Sequence, residues 1–193
     1  MKIAIINYGA GNIQSIKFAI QRLGFEAVLS SDEEEIRNAD KVFFPGVGEA
    51  SSAMSMLRST GLDKVIPTLN QPVLGICLGM QLMCESSEEG NTTGLGIFHA
   101  KVVKFKNTVK VPQIGWNKIY DLQSELFHDV AENEYVYLVH SFYVPECKET
   151  IASSEYGVEF TTAIKKDNFY GVQFHPEKSS DAGERILKNF LDL

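Results

Sequence analysis

The sequence predicts an α/β protein of three layers, one domain over residues 1–193, built on a mixed, mostly parallel central sheet. Three observations lead there. The first half alternates short apolar runs with segments of helical spacing. The second half is rich in strands and poor in helices until the chain closes on an amphipathic segment. Of the 193 residues, 44% are apolar and 22% charged, enough to build a sizeable core. No repeat, low-complexity tract or long linker divides the chain.

Lys2–Ile6 is an apolar run ending at Tyr8-Gly9-Ala10-Gly11, and Asn12–Leu23 then places Ile13, Ile16, Ala19/Ile20 and Leu23 at helical spacing before Gly24. Glu26–Leu29 reads as a second strand. Ser31-x-x-Glu34 has the form of a capping box opening a short helix to about Asn38. Lys41–Phe44 is a third strand that runs into Pro45-Gly46-Val47-Gly48. Ala50–Arg58 and Leu62–Leu69 are helical by spacing, the second interrupted by Pro67. Val73–Ile76 is a fourth strand, followed at Cys77 by a helix through about Glu85. Strands follow at Lys101–Phe105, Tyr135–Val139, Thr150–Ser154, Phe160–Ile164 and Phe169–Phe174, and Ala182–Leu191 closes as an amphipathic helix.

Composition removes several function classes. Eighteen Lys+Arg against 25 Asp+Glu leave a net charge of −7, with no cationic surplus to neutralise nucleic-acid phosphates or an anionic membrane. Three cysteines, Cys77, Cys84 and Cys147, make neither a disulfide framework nor a metal-spaced pair, and the first apolar run is too short for a signal or a span. A reducing cytoplasm is the expected compartment. His99, His128 and His140 stand singly, so no metal site is expected. No phosphate-binding loop is present, and Gln14 occupies the third glycine position of a dinucleotide fingerprint.

Three motifs carry chemistry. Gly75-Ile76-Cys77-Leu78-Gly79 is a G-x-C-x-G between strand and helix, parallel to the G-x-S-x-G nucleophile elbow. Such a turn exposes the middle side chain at the sheet's carboxyl edge, where a helix start favours thiolate. The alternative is a small buried cysteine that only fills space. His175-Pro176-Glu177 follows a strand. Proline holds His175 extended, and i, i+2 spacing lets Glu177 accept from one ring nitrogen while the other exchanges a proton with a thiol. Pro45-Gly46-Val47-Gly48 can present backbone N–H groups to a developing oxyanion, or be a plain surface turn.

Together these motifs resemble the class I (triad) glutamine amidotransferases, over essentially the whole chain. The carriers are Asn7-Tyr8-Gly9-Ala10-Gly11-Asn12 with Ser15, Pro45-Gly46-Val47-Gly48 and Gly75-Ile76-Cys77-Leu78-Gly79-Met80-Gln81. Gly115-Trp116-Asn117, His140-Ser141-Phe142-Tyr143 and Gly171 through Ser179 complete the set. Within the family the resemblance is closest to the glutaminase subunits of histidine biosynthesis. It implies a flavodoxin-like fold and a Cys-His-Glu triad of Cys77 as nucleophile, His175 as acid and base, and Glu177 as its orienter. It also implies an oxyanion hole from the N–H of Leu78 and of Val47 once that peptide turns inward, with glutamine's α-amino and carboxylate ends at Gly48, Gln81, Ser141 and Phe142. No cofactor is implied. The implied partner is a (β/α)₈-barrel cyclase subunit in a heterodimer. That subunit takes the ammonia and makes imidazole glycerol phosphate and an aminoimidazole carboxamide ribonucleotide, and Asn12, Trp116, Tyr137 and Lys178 would lie near it. Gln113 departs from the histidine more often found there, and His99-Ala100 from a common Pro-Gly. Two other readings stay open: a glutaminase of another pathway or a stand-alone γ-glutamyl hydrolase, and a non-enzymatic flavodoxin-like module.

Overall fold

The computed structural model describes residues 1–9, 13–106 and 108–193. In chain order the first half is β1 (Ile3–Ile6), α1 (Ile13–Arg22), β2 (Ala27–Ser30), α2 (Glu33–Arg37), β3 (Lys41–Gly46), α3 (Ala50–Thr60), α4 (Leu62–Val65), β4 (Val73–Cys77) and α5 (Leu78–Leu82). There follow β5 (Cys84–Ser87), β6 (Thr92–Thr93), β7 (Phe98–Lys104), β8 (Gln113–Ile119), β9 (Glu134–His140) and β10 (Phe142–Tyr143). The chain ends with β11 (Thr150–Glu155), β12 (Glu159–Lys166), β13 (Phe169–Val172) and α6 (Ser180–Asp192).

The central sheet has seven strands in the order β11-β12-β13-β4-β3-β1-β2. β2, β1, β3, β4 and β13 run parallel, while β12 and β11 are antiparallel additions at one edge. This is the mixed, mostly parallel sheet expected. Side chains alternate across it with the strand period of two. Ala4, Ile6, Val42 and Phe44 face a core shared with α3, α4 and α5, whereas Ile3, Ile5 and Phe43 face one shared with α1 and α6. Phe190 of α6 anchors the second core, its ring 5.0 Å from that of Phe43 and 6.0 Å from that of Tyr170.

Several local expectations change. α2 is capped by Asp32 rather than Ser31; its side chain accepts from the Glu35 N–H at 2.8 Å, so the box sits one residue later. The helix after Cys77 stops at Leu82 instead of near Glu85. Cys84–Ser87 is needed as a strand between β6 and β7, and that pairing overrides the apolar spacing that continues the helix. Two strands expected in the second half leave the central sheet: β7 belongs to a four-stranded sheet ordered β10-β7-β5-β6, and β9 pairs only with β8 as a two-stranded ribbon. β8 itself, carrying Gly115-Trp116-Asn117, is a strand that the local pattern does not predict.

The register positions the site. Gly46 at the end of β3 pairs with Cys77 at the end of β4, and Val172 at the end of β13 pairs with Ile76. Three segments therefore leave the sheet side by side at its carboxyl edge, where open α/β sheets place their sites. α5 reaches back over β3 so closely that a Cβ on Gly79 would lie 1.8 Å from the Phe44 carbonyl oxygen. That oxygen belongs to a central strand and cannot move aside. Gly79→Ala is expected to destabilise the fold by about 3 kcal/mol, the upper end of overpacking costs. A urea midpoint unchanged from wild type would refute this.

Candidate active site

Cys77 sits at φ 54°, ψ −111°, a left-handed conformation that L side chains rarely adopt. The strain, of order 1–3 kcal/mol, is held by β4 on one side and α5 on the other. It makes the turn sharp enough to lift Sγ off the strand end into a cavity of about 280 Å³. Val47, Gly48, Leu78, Gln81, Ser141, Phe142 and His175 line that cavity with Cys77. Every residue expected to touch glutamine or its oxyanion is thus at one place. Val139, His140, Pro112 and Glu89 join the lining, and of these only His140 stands in a motif quoted above.

Glu177 lies behind this wall. His175 keeps the extended backbone its proline demands (φ −98°, ψ 95°), but Pro176–Lys178 is a turn of 3₁₀ helix, so the extended i, i+2 spacing does not hold. The turn delivers the carboxylate all the same: Glu177 Oε1 is 2.9 Å from His175 Nδ1, and both side chains are buried. Nδ1 then donates to the carboxylate, and Nε2 is left for the sulfur. Burial works against charge on this ring, yet the hydrogen bonds to Cys77 and Glu177 outweigh it and lift the imidazole to about 10. His175 therefore holds a proton beside the sulfur at neutral pH.

The His175 segment is clamped from outside the sheet. Its N–H donates to the Tyr137 carbonyl at 2.9 Å. Ser179 Oγ donates to the His175 carbonyl at 2.7 Å and accepts from the Tyr137 N–H at 2.9 Å. The same strand brings the Val139 carbonyl oxygen to 3.9 Å from Cys77 Sγ. β9 thus fastens the His175 backbone and reaches the Cys77 sulfur without belonging to the sheet that carries them.

His140, three residues on, is the opposite kind of histidine. It is buried, and burial, with the charge of His175 adding, pushes the ring down to about 4 despite the bond to the Phe142 carbonyl. The ring is neutral at pH 7. Nδ1 must donate to the Phe142 carbonyl at 2.8 Å, because that oxygen can only accept. Nε2 faces the Gln113 amide, whose Oε1 lies 3.0 Å away, and a neutral ring is satisfied there when the amide presents its N–H instead.

Trp116, Tyr137 and Lys178 come together on the other side of the β8–β9 ribbon. The Trp116 and Tyr137 rings are 6.1 Å apart and the Lys178 ammonium is 5.8 Å from the Tyr137 ring centre. Trp116 and Lys178 also line a second cleft, of about 450 Å³, which reaches Glu177. Asn12 lies outside the described residues. Gln173 escapes the sequence reading as a functional candidate: fully buried, its amide nitrogen is 3.7 Å from Cys77 Sγ. Its place two residues before His175 is the available signal. No group of three or more His, Cys, Asp or Glu among the described residues could hold a metal ion, and no described helix is long and apolar enough to cross a membrane.

A nucleophile elbow, a histidine–carboxylate pair and a glycine turn meeting at the carboxyl edge of this sheet define a class of protein. The chain belongs to the glutamine amidotransferase class-I family, whose sequence profile matches residues 4–193. Among curated proteins it is 56% identical to the imidazole glycerol phosphate synthase subunit HisH of Bacteroides fragilis (strain YCH46), over 100% of both chains. It is 46% identical to the HisH subunit of Yersinia pseudotuberculosis, again over 100% of both. Among solved structures, a putative GMP synthase subunit from Thermoplasma acidophilum superposes with a TM-score of 0.77 at 23% identity, covering 100% of this chain and 92% of that one, a likeness of fold.

The state of His140 is directly testable. Because its folded value lies below the ordinary 6.5, the unfolded chain takes up the proton first, and its share of stability is lost as pH falls from about 6.5 towards about 4. In imidazole NMR spectra the His140 signals are expected to stay fixed from pH 7 to about 5 and to move only near 4. A midpoint near 6.5 would contradict the assignment.

Proposed function

We propose that this chain is the glutaminase subunit of an imidazole glycerol phosphate synthase, and that Cys77, His175 and Glu177 carry its chemistry. The observation that supports it most is the placing of Cys77 and His175 in one cavity with Glu177 2.9 Å behind the imidazole. Full-length identity of 45–56% to proteins named as HisH supports the pathway.

In this reading the glutamine side-chain amide enters the cavity and Cys77 Sγ attacks its carbonyl carbon. The carbonyl π pair moves to oxygen, where the N–H of Leu78, at the open start of α5, meets it, joined by that of Val47 once its peptide turns inward. The carbon–nitrogen bond then breaks as His175 gives its proton to the departing nitrogen, releasing ammonia and leaving a γ-glutamyl thioester. Water, deprotonated by the now neutral His175, attacks the thioester; the sulfur leaves and glutamate is freed. Glu177 holds Nδ1 and stabilises the imidazolium between these steps. Gly48, Gln81, Ser141 and Phe142 hold the amino-acid end of glutamine.

The partner in this reading is a (β/α)₈-barrel cyclase that receives the ammonia, seated on the ribbon that carries Trp116 and Tyr137 and on Lys178. Trp116 is 53% exposed on a chain whose other large aromatics are mostly buried, and its ring packs edge-on to that of Tyr137. Exposed tryptophans with basic neighbours are the usual anchors of such contacts.

Cys77→Ala is expected to lower glutamine hydrolysis by about 10⁴-fold or more with the cyclase and its nucleotide present, while the thermal unfolding stays cooperative. Retained hydrolysis would end the nucleophile assignment. Trp116→Ala is expected to weaken binding to the cyclase by about 2 kcal/mol, roughly 30-fold in Kd, read by calorimetry. Unchanged affinity would move the interface elsewhere.

A further inference from the structure

The cavity wall hides a chain of side-chain amides whose polarity is dictated from one end. The Phe142 carbonyl oxygen can only accept, so the Gln81 group facing it at 3.0 Å must be the amide nitrogen. The second hydrogen of that nitrogen goes to Gln173 at 2.8 Å, and Gln173 must therefore present its oxygen, Oε1. The other end of the same amide is then necessarily nitrogen. It lies 3.7 Å from Cys77 Sγ, within the reach of an N–H···S hydrogen bond. Flipping Gln81 would set its oxygen against the Phe142 carbonyl oxygen at 3.0 Å and the Gln173 oxygen at 2.8 Å, and flipping Gln173 would set nitrogen against nitrogen at 2.8 Å, with Gln173 fully buried and Gln81 nearly so.

The main chain adds to this. Gln173 follows β13 directly, and its N–H donates to the Thr162 carbonyl at 2.8 Å, which ties the residue to β12. Its side chain is thus held at both ends. Polar groups close to the sulfur include the His175 ring, the Val139 carbonyl at 3.9 Å and this amide. A carbonyl helps only a thiol. An amide N–H helps the sulfur when it carries charge, which is the state in which it attacks.

We infer that Gln173 is a positioning residue for the nucleophile: oriented by Gln81, it donates an N–H to Cys77 Sγ and holds the charged sulfur in its attacking position. The inference rests on the reading of Cys77 as nucleophile. It also gives Gln81 a second task besides meeting glutamine, because the residue that senses the substrate-binding loop through Phe142 also sets the polarity of the group at the sulfur.

Alkylation of the full-length chain by iodoacetamide at pH 7, without glutamine, reads the sulfur and not the substrate pocket. Gln173→Met keeps the volume and removes the donor; Cys77 alkylation is expected to slow about tenfold, the worth of a hydrogen bond to a charged group. Gln81→Met frees Gln173 to turn and is expected to slow it about threefold. A residue that only steadies Gln81 for substrate would leave both rates alone. Alkylation within twofold of wild type in a cooperatively unfolding Gln173→Met chain overturns the inference. Should that variant fail to fold, Gln81→Met decides, and a rate within twofold of wild type overturns it equally. Loss of hydrolysis in Cys77→Ala with unchanged alkylation in Gln173→Met would defeat the donor role alone, whereas active Cys77→Ala would defeat the nucleophile reading beneath it.

Discussion

The Phe44 carbonyl oxygen lies so close over the bare Cα of Gly79 that a Cβ there would sit 1.8 Å from it and force the two apart. Much of the site depends on that approach. It lets a helix of five residues lie across the end of β3, so that Leu78 and Gly46 share one edge of the sheet with Cys77 between them. The strain at Cys77 is sustainable for the same reason: β4 holds the residue before the turn through pairing on both sides, and α5 holds the residue after it through packing. A displacement of about an ångström here would shift Leu78 and Gly46 relative to the sulfur between them, a scale at which the geometry of a site is lost.

Two histidines in the lining of one cavity end in opposite protonation states, and the reason is partner chemistry rather than depth. Both are buried. His175 has a carboxylate on one nitrogen and a thiol on the other, so a proton on the ring is hydrogen-bonded and neutralised. His140 has a carbonyl and an amide, which can satisfy a neutral ring completely but offer no countercharge. The cavity consequently carries one positive group beside the sulfur, and next to it a neutral one bonded to the Phe142 carbonyl.

The first strands are legible because glycine and proline punctuate short apolar runs, and because the register that matters is set by strand ends the motifs themselves mark. Cys77, His175 and the Pro45–Gly48 turn can be read as partners for the same reason. What escapes reading depends on pairing at a distance. Residues 84–87 carry helical spacing on from α5, and only the edge offered by β7 turns them into a strand. β9 reads as an ordinary strand and β8 is not read as one at all, and nothing local says that the two form a ribbon apart from the main sheet. Glu177 reaches its histidine by a tight turn instead of the extended spacing expected. Gln173 stands within the motif that carries His175, but its task depends on a carbonyl 31 residues earlier in the chain, at Phe142.

The ribbon has a consequence outside catalysis. Ile114, Trp116 and Tyr135 are 63%, 53% and 48% exposed on an element that, among the described residues, forms a sheet of two strands only. Exposed apolar side chains on so small a sheet are the kind of surface by which chains stick to one another. A chain produced in excess of whatever covers this face carries a self-adhesive surface, and its solubility becomes a matter of stoichiometry. In the proposed assembly, balanced supply of the partner subunit would keep this face covered.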